Sequence, residues 1–291
     1  MLLSPLRYSR VNILNMKLPS SLKSGDIVVI GFPFDAHSSF MRGAAEGPEA
    51  LVEAYHSPSA NLYTEKGLDL GQVKGLHFLG NADLGRDYWE IEKTVDLLLS
   101  HNVKVLSIGG DHSITYPIMK AHAKKYPDLH ILQTDAHGDL YPDFEGDLYS
   151  HACPFARIME DGLCQRLLQV GVRSLSTVQR EMAAKHEVEI IEMKDWEQWK
   201  GPLPLNLSHP LYLSLDLDVL DPAFAPGVSH HEPGGLQTRE LISIIQNLPM
   251  PLIGADIVEL NPSRDLQGVT AMVAAKLLRE ILHNMLSGSK S

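Results

Sequence analysis

Short apolar runs alternate with amphipathic stretches along most of the chain. The runs Asp26–Gly31, Val103–Gly109, Leu129–Asp135, Leu167–Val172, Glu187–Glu192, Leu211–Asp218 and Leu252–Glu259 are mostly continuous Val, Ile and Leu. That composition predicts strands buried on both faces of a parallel sheet. Helices are predicted between them, over Gly47–His56, Tyr88–His101, Ile114–Lys125, His151–Asp161, Thr177–His186, Thr238–Leu248 and Gly268–Leu286. The first opens with Gly-Pro, which suits an initial helical turn. The second repeats apolar residues at Ile91, Val95, Leu98 and Leu99, one face of a helix. Strand–helix alternation of this kind predicts an α/β fold with helices on both sides of the sheet. Ser57–Gly75 and Trp199–His209 are long polar stretches and are expected at the surface. With no repeat and no linker, the expectation is an extension over residues 1–25 followed by one domain over 26–291.

The chain has 291 residues and a formal net charge of −11. Such a balance argues against nucleic acid or an anionic membrane as the main partner and is compatible with a small cationic ligand. No apolar run reaches the roughly 18 residues of a membrane span. Two cysteines, Cys153 and Cys164, imply no disulfide framework and make a reducing, cytoplasmic setting the default. Cys153 is close in sequence to His151, so a thiol nucleophile competes with the usual role of a free Cys as a small buried hydrophobe. The first 25 residues lack acids and carry Arg7, Arg10, Lys17 and Lys23. Mitochondrial presequences share that composition, which keeps the mitochondrial matrix as the alternative location.

In open α/β sheets, ligands bind beyond the carboxyl ends of the strands. Three predicted strand ends carry clusters of ionisable residues there. Gly109-Gly110-Asp111-His112-Ser113 follows one, and its glycines allow a sharp turn and a close backbone approach. Asp135-Ala136-His137-Gly138-Asp139 ends another; if the chain stays extended, the i, i+2, i+4 spacing puts all three side chains on one face. Asp216-Leu217-Asp218 ends a third, while Asp221 before Pro222 reads as turn chemistry. A turn with a capping acid explains any one cluster. Three together, each at the end of a buried strand, are costly without a compensating cation. His112, Asp135, His137, Asp139, Asp216 and Asp218 offer two imidazoles and four carboxylates, enough charge for two divalent ions. Oxygen-rich donors without thiolate favour manganese-like ions over structural zinc. Two such ions can share a water, lower its pKa and aim it at an electrophilic carbon.

At these residues the chain resembles the arginase/agmatinase (ureohydrolase) family. Gly109–Ser113, Asp135–Asp139 and Ser214-Leu-Asp-Leu-Asp-Val-Leu-Asp-Pro-Ala-Phe-Ala-Pro-Gly227 look like its three signature blocks, and the resemblance extends from about Gly31 to Leu286. It is closest to plant-type arginases and bacterial agmatinases. It implies a three-layer αβα fold around an eight-stranded parallel sheet, assembled as a homotrimer or homohexamer, with two Mn²⁺ bridged by hydroxide. His112 and Asp139 would hold one ion, His137 and Asp218 the other, with Asp135 and Asp216 bridging. It also implies His151 as a proton shuttle, Glu259 as the carboxylate that grips the guanidinium, and Asp139 as a hydrogen-bond acceptor for the attacking hydroxide. A group titrating near neutrality suits the shuttle step, and paired hydrogen bonds suit a planar guanidinium. Ser38 and His230 are expected at the pocket mouth as substrate contacts. Asp256, alternating with Val258, is expected to be structural, and His56, His101 and His122 to be solvated.

The reaction implied is hydrolysis of a small cationic guanidino substrate to urea and an amine. Animal arginases read the α-amino group with an acid after the strand matching Leu167–Val172; here the segment is Arg173-Ser174-Leu175-Ser176. Plant-type arginases lack that acid too, so agmatine, placed first, and arginine both stand. The competing readings are a formiminoglutamase-like hydrolase, from Ala225-Pro226-Gly227-Val228-Ser229, a zinc deacetylase-like enzyme, and a non-catalytic binding protein of the same fold.

Overall fold

A computed structural model describes residues 10–11, 22–85, 87–199, 203–205 and 208–287. Its strands are β1 (Arg10–Val11), β2 (Ile27–Phe32), β3 (Leu76–Ala82), β4 (Lys104–Gly109), β5 (His130–Thr134), β6 (Arg166–Val172), β7 (Glu189–Glu192), β8 (Leu211–Asp216) and β9 (Leu252–Val258). They form one sheet in the order β1-β3-β2-β4-β9-β8-β5-β6-β7, with every pairing parallel. Eight strands make the body of the sheet. The two-residue β1 adds an edge from the segment expected to be an extension. Of the presequence-like composition, Arg7 and Lys17 lie outside the described residues, as do parts of Trp199–His209.

The helices are α1 (Gly47–Tyr55), α2 (Glu90–Ser100), α3 (Thr115–Lys125), α4 (Pro154–Glu160), α5 (Thr177–Lys185), α6 (Trp196–Trp199), α7 (Thr238–Gln246) and α8 (Val269–Ser287). Strand side chains alternate between two cores. Val29, Leu106, Leu132 and Leu213 pack with Leu51 of α1, Leu241 of α7 and Leu278 of α8. Val28, Val105, Ile131 and Tyr212 pack with Ile91 of α2, Ile118 of α3, Phe155 of α4 and Met182 of α5. These are the outer layers of the expected αβα sandwich.

Two readings of the pattern fail locally. Strand β3 went unpredicted: His77, Gly80 and Asn81 interrupt its apolar run, and it is only half-buried near the sheet edge. His122 is fully buried rather than solvated. Its Nδ1 lies 3.0 Å from the Ile118 carbonyl, its ring meets Tyr212 edge-on, and burial depresses its pKa to about 4. Ser57–Gly75 is also not wholly at the surface, since Thr64 and Leu70 are buried. No helix among the described residues is long and apolar enough to cross a membrane.

Although β4 and β5 are consecutive in sequence, β9 and β8 lie between them in the sheet. The carboxyl ends of these four neighbouring strands carry the three clusters and Glu259.

Candidate metal centre and active site

Each cluster is built by a local turn. Strand β5 stops at Thr134, so the chain does not stay extended through Asp139. Asp135 Oδ1 instead accepts from the main-chain N–H of His137 at 2.6 Å, and Asp216 Oδ1 accepts from that of Asp218 at 2.8 Å. An Asp that hydrogen-bonds two residues on closes its own turn and turns residues i and i+2 toward the same place. After β4, Asp111 caps a short 3₁₀ turn (His112–Ile114) by accepting from Ser113. Gly110 is required there, because a Cβ at that position would stand 1.8 Å from the Phe34 carbonyl oxygen.

All six predicted ligands converge. His112 Nδ1 lies 3.1, 3.0 and 3.1 Å from carboxylate oxygens of Asp135, Asp139 and Asp216. His137 Nδ1 lies 3.0 Å from Asp218 and 3.5 Å from Asp135. Ligand atoms form two groups, His112/Asp135/Asp139 and Asp135/His137/Asp218, with Asp135 common to both. Asp218 Oδ1 also accepts from the Ala136 N–H at 3.0 Å, tying β8 to the loop after β5.

The protonation of His112 follows from its other side. Asp256, fully buried, accepts from Ser214 at 2.7 Å, Tyr212 at 2.9 Å and Thr115 at 3.1 Å. Ser214 gives its hydrogen to Asp256 and therefore offers His112 Nε2, 3.0 Å away, only a lone pair. Nε2 then carries the ring proton and Nδ1 its lone pair. That lone pair is buried without a hydrogen-bond partner among three carboxylates. Only a cation relieves the arrangement, and the donor set of imidazole and carboxylate fits a divalent metal.

Without an ion, protons fill that role. Burial works against charge on His112, yet Asp135, Asp139 and Asp216 hold it well above the ordinary histidine range. Burial likewise opposes charge on His137, which Asp218 and Asp135 carry to about 12. Burial, with neighbouring Asp135, lifts Asp139 to about 6, and burial with Asp218 and Asp135 lifts Asp216 well above the carboxylate range. Burial alone would raise Asp135 too, but its contacts with both histidines keep it low.

Beside the cluster lies a cavity of about 580 Å³ lined in part by Asp139, His151, His230 and Glu259. Glu259 Oε1 accepts from the His112 N–H at 2.8 Å and lies 2.9 Å from His151 Nδ1. Burial opposes their charges, but each favours the other: His151 is raised to about 9 and Glu259 lowered. Asp139 and Glu259 both adopt left-handed backbone, with φ of 50° and 66°. Non-glycine residues rarely do so, and such strain gathers at functional sites.

The other predicted residues divide. His230 lines the cavity, its ring 5.2 Å from that of His151 and 5.9 Å from that of His137. Ser38 does not line it; its hydroxyl donates to Asp111 at 3.0 Å, and the neighbouring Ser39 takes the cavity position. Cys153 is buried, its thiol pushed up to about 12 by burial, which is wrong for a nucleophile. Pattern reading missed Arg173, which lines the cavity while its guanidinium donates to the carbonyls of Gly171, Asp218, Val219, Leu220 and Glu232. It also missed Ser214 and Gln133; the latter donates to Asp135 at 2.7 Å. A buried polar residue in an otherwise apolar strand was the available signal for both.

A parallel αβα sheet with a buried histidine–aspartate cluster at its central strand ends has well-defined relatives. The arginase family model matches residues 25–283. The mitochondrial arginase of Medicago truncatula is 43% identical over 275 residues, covering 88% of this chain and 81% of that one. The agmatinase of Bacillus cereus is 34% identical over 277 residues, covering 92% and 94%. The solved structure of the Medicago truncatula arginase superposes with a TM-score of 0.83 at 42% identity, covering 89% of this chain and 87% of that one. The chain belongs to the arginase family. Within it, this is an enzyme of the ureohydrolase type, with relatives named arginase and agmatinase.

Proposed function

We propose that the chain hydrolyses the guanidino group of arginine, releasing urea and ornithine, with two Mn²⁺ held by His112, Asp135, His137, Asp139, Asp216 and Asp218. The observation that carries this reading is the partnerless, buried His112 Nδ1 among three carboxylates, beside a Glu259–His151 pair that lines a cavity. His112 and Asp139 would serve one ion, His137 and Asp218 the other, with Asp135 and Asp216 between them. When bound, such a pair of ions lowers the pKa of a shared water and neutralises charge developing at the attacked carbon.

The chain's own residues do the rest. Glu259, fixed by the His112 N–H, orients the guanidinium. Asp139 accepts a hydrogen bond from the attacking water. His151 donates a proton to the departing amine, and His230 borders the bound substrate.

Arginine is placed before agmatine for two reasons. The higher identity is to a chain named arginase. Among the described residues, the acids lining the cavity are Asp139, Asp216, Asp218 and Glu259, all committed to the cluster or the guanidinium. Agmatine's terminal ammonium would find no further carboxylate, whereas arginine's tail is neutral overall and meets Ser174, Ser176 and Gln179. Urea release from arginine, agmatine and guanidinobutyrate with added Mn²⁺, beside a formamide assay, tests the reading. Arginine turnover at least tenfold above agmatine is expected; formamide as the product would overturn it.

The proposed assembly is a homotrimer or homohexamer, checked by analytical ultracentrifugation. The word mitochondrial in the Medicago relative's name, with the acid-free N-terminus, favours the matrix over the cytoplasm. N-terminal sequencing of protein from its native source tests that.

A further inference from the structure

We propose that Ser39 is a positioning residue for His151 and the hydroxyl through which His151 exchanges its proton with water; this rests on the function proposed above. Two Ser39 groups meet the same ring nitrogen. Its main-chain N–H donates to His151 Nε2 at 3.2 Å, and its hydroxyl lies 2.8 Å from that atom. On the other side of the ring, Nδ1 faces the Glu259 carboxylate. A carboxylate accepts and an amide N–H donates. The neutral ring is therefore held with its proton on Nδ1 and its lone pair on Nε2.

An amide N–H suits only the neutral ring. Once Nε2 is protonated it needs an acceptor, and Ser39 Oγ supplies one by rotating its hydrogen away. The hydroxyl thus serves both protonation states, donating to the neutral ring and accepting from the charged one. His151 is buried, whereas Ser39 is exposed at the cavity mouth. In each turnover Nε2 gives one proton to the departing amine. Ser39 Oγ passes its hydrogen to Nε2 and takes one from a cavity water, which regains it from solvent, where the attacking water released its own proton. Serine and cavity water are both unchanged and one proton has moved inward.

The loop is pinned for this task. The His151 N–H donates to the His37 carbonyl at 3.1 Å, His37 Nδ1 lies 2.7 Å from Asp147, and Ser38 donates to Asp111. Beyond Ser39, the Met41 carbonyl accepts from Ser229 and Asn261. The charged or titratable groups facing His151 are Glu259, Asp111, Asp139 and His230, and a change at Ser39 leaves all of them in place.

The test compares the wild type with Ser39→Ala and Ser39→Thr. Ser39→Ala keeps the main-chain N–H and removes only the hydroxyl. It should lower kcat about 10- to 100-fold, the scale of a proton-transfer contribution. KM should change less than about threefold, bound metal should be unchanged, and the pH–kcat limb due to His151 should move to lower pH. Ser39→Thr should restore most of kcat. A Ser39→Ala enzyme with wild-type kcat and pH profile overturns the proposal, as does a threonine variant no better than alanine. ¹⁵N-histidine NMR of Zn²⁺-loaded protein adds a readout independent of turnover. The neutral ring of His151, read on the alkaline side of its titration, should carry its proton on Nδ1, and the titration should move to lower pH in Ser39→Ala; an unaltered titration overturns the proposal. If the wild type releases no urea, the functional reading fails and the NMR result alone decides the role of Ser39.

Discussion

The two histidines of the cluster are the same ligand in different surroundings. His112 is 1% exposed, its Nε2 fixed through Ser214 and Asp256. His137 is 26% exposed, lines the cavity and has no comparable clamp among the described residues. One half of the cluster is sealed and oriented from behind; the other faces the cavity. On the proposed function, the rigid half would protect ion occupancy and the open half would let substrate approach the attacking water.

The largest effect should come from the residue common to both halves. Asp135→Asn should cut kcat by about 10³-fold or more and reduce bound metal from two ions to one or none, read by urea release and metal analysis of folded protein. If metal content stays at two, the shared role of Asp135 is wrong. Next is the clamp itself: Ser214→Ala should weaken metal binding about 10- to 100-fold, as outer hydrogen bonds to ligating histidines generally do. Isothermal titration checks this, and an unchanged affinity would remove the contrast between the halves.

A smaller effect concerns stability of the metal-free protein. His151 is raised from its ordinary 6.5 to about 9, so its contribution is full below 6.5 and is lost as pH rises toward 9. Glu259 is lowered from 4.5, so its contribution is present above 4.5 and lost on acidification. The pair stabilises most between these ordinary values, by about 2 kcal/mol. Thermal melts across this range should show it, and Glu259→Gln should remove the alkaline loss attributable to His151. The smallest change is His230→Ala, at the open half. It should raise KM about two- to fivefold with little change in kcat, and an unchanged KM would show that the ring does not border substrate.

The chemistry was more legible in the sequence than the edges of the fold. Closely spaced acids and imidazoles at the ends of apolar strands have few uses, so the six side chains that converge could be named from the chain alone. Their geometry was not legible: spacing read as extended strand is in fact a turn that Asp135 closes on itself. Ser38 was expected at the pocket mouth but Ser39 stands there, because the direction of this loop depends on where it is anchored, here at Asp111 and His151, far away in sequence. His122 was misread because nearby lysines mask its place, one helical turn after Ile118, on the buried face of α3. Asp256 was expected to be structural; it is buried among three hydroxyl donors, and the path from it through Ser214 to His112 needs coordinates.

The left-handed backbone at Asp139 and Glu259 bears on any attempt to harden this enzyme against heat. Glycine at either position would relax the chain, by about 1 kcal/mol each, and would delete a carboxylate that the chemistry needs. A screen that rewards survival at high temperature and ignores turnover would therefore enrich inert proteins with these two changes. Directed evolution of this scaffold has to select for catalysis and endurance in the same round.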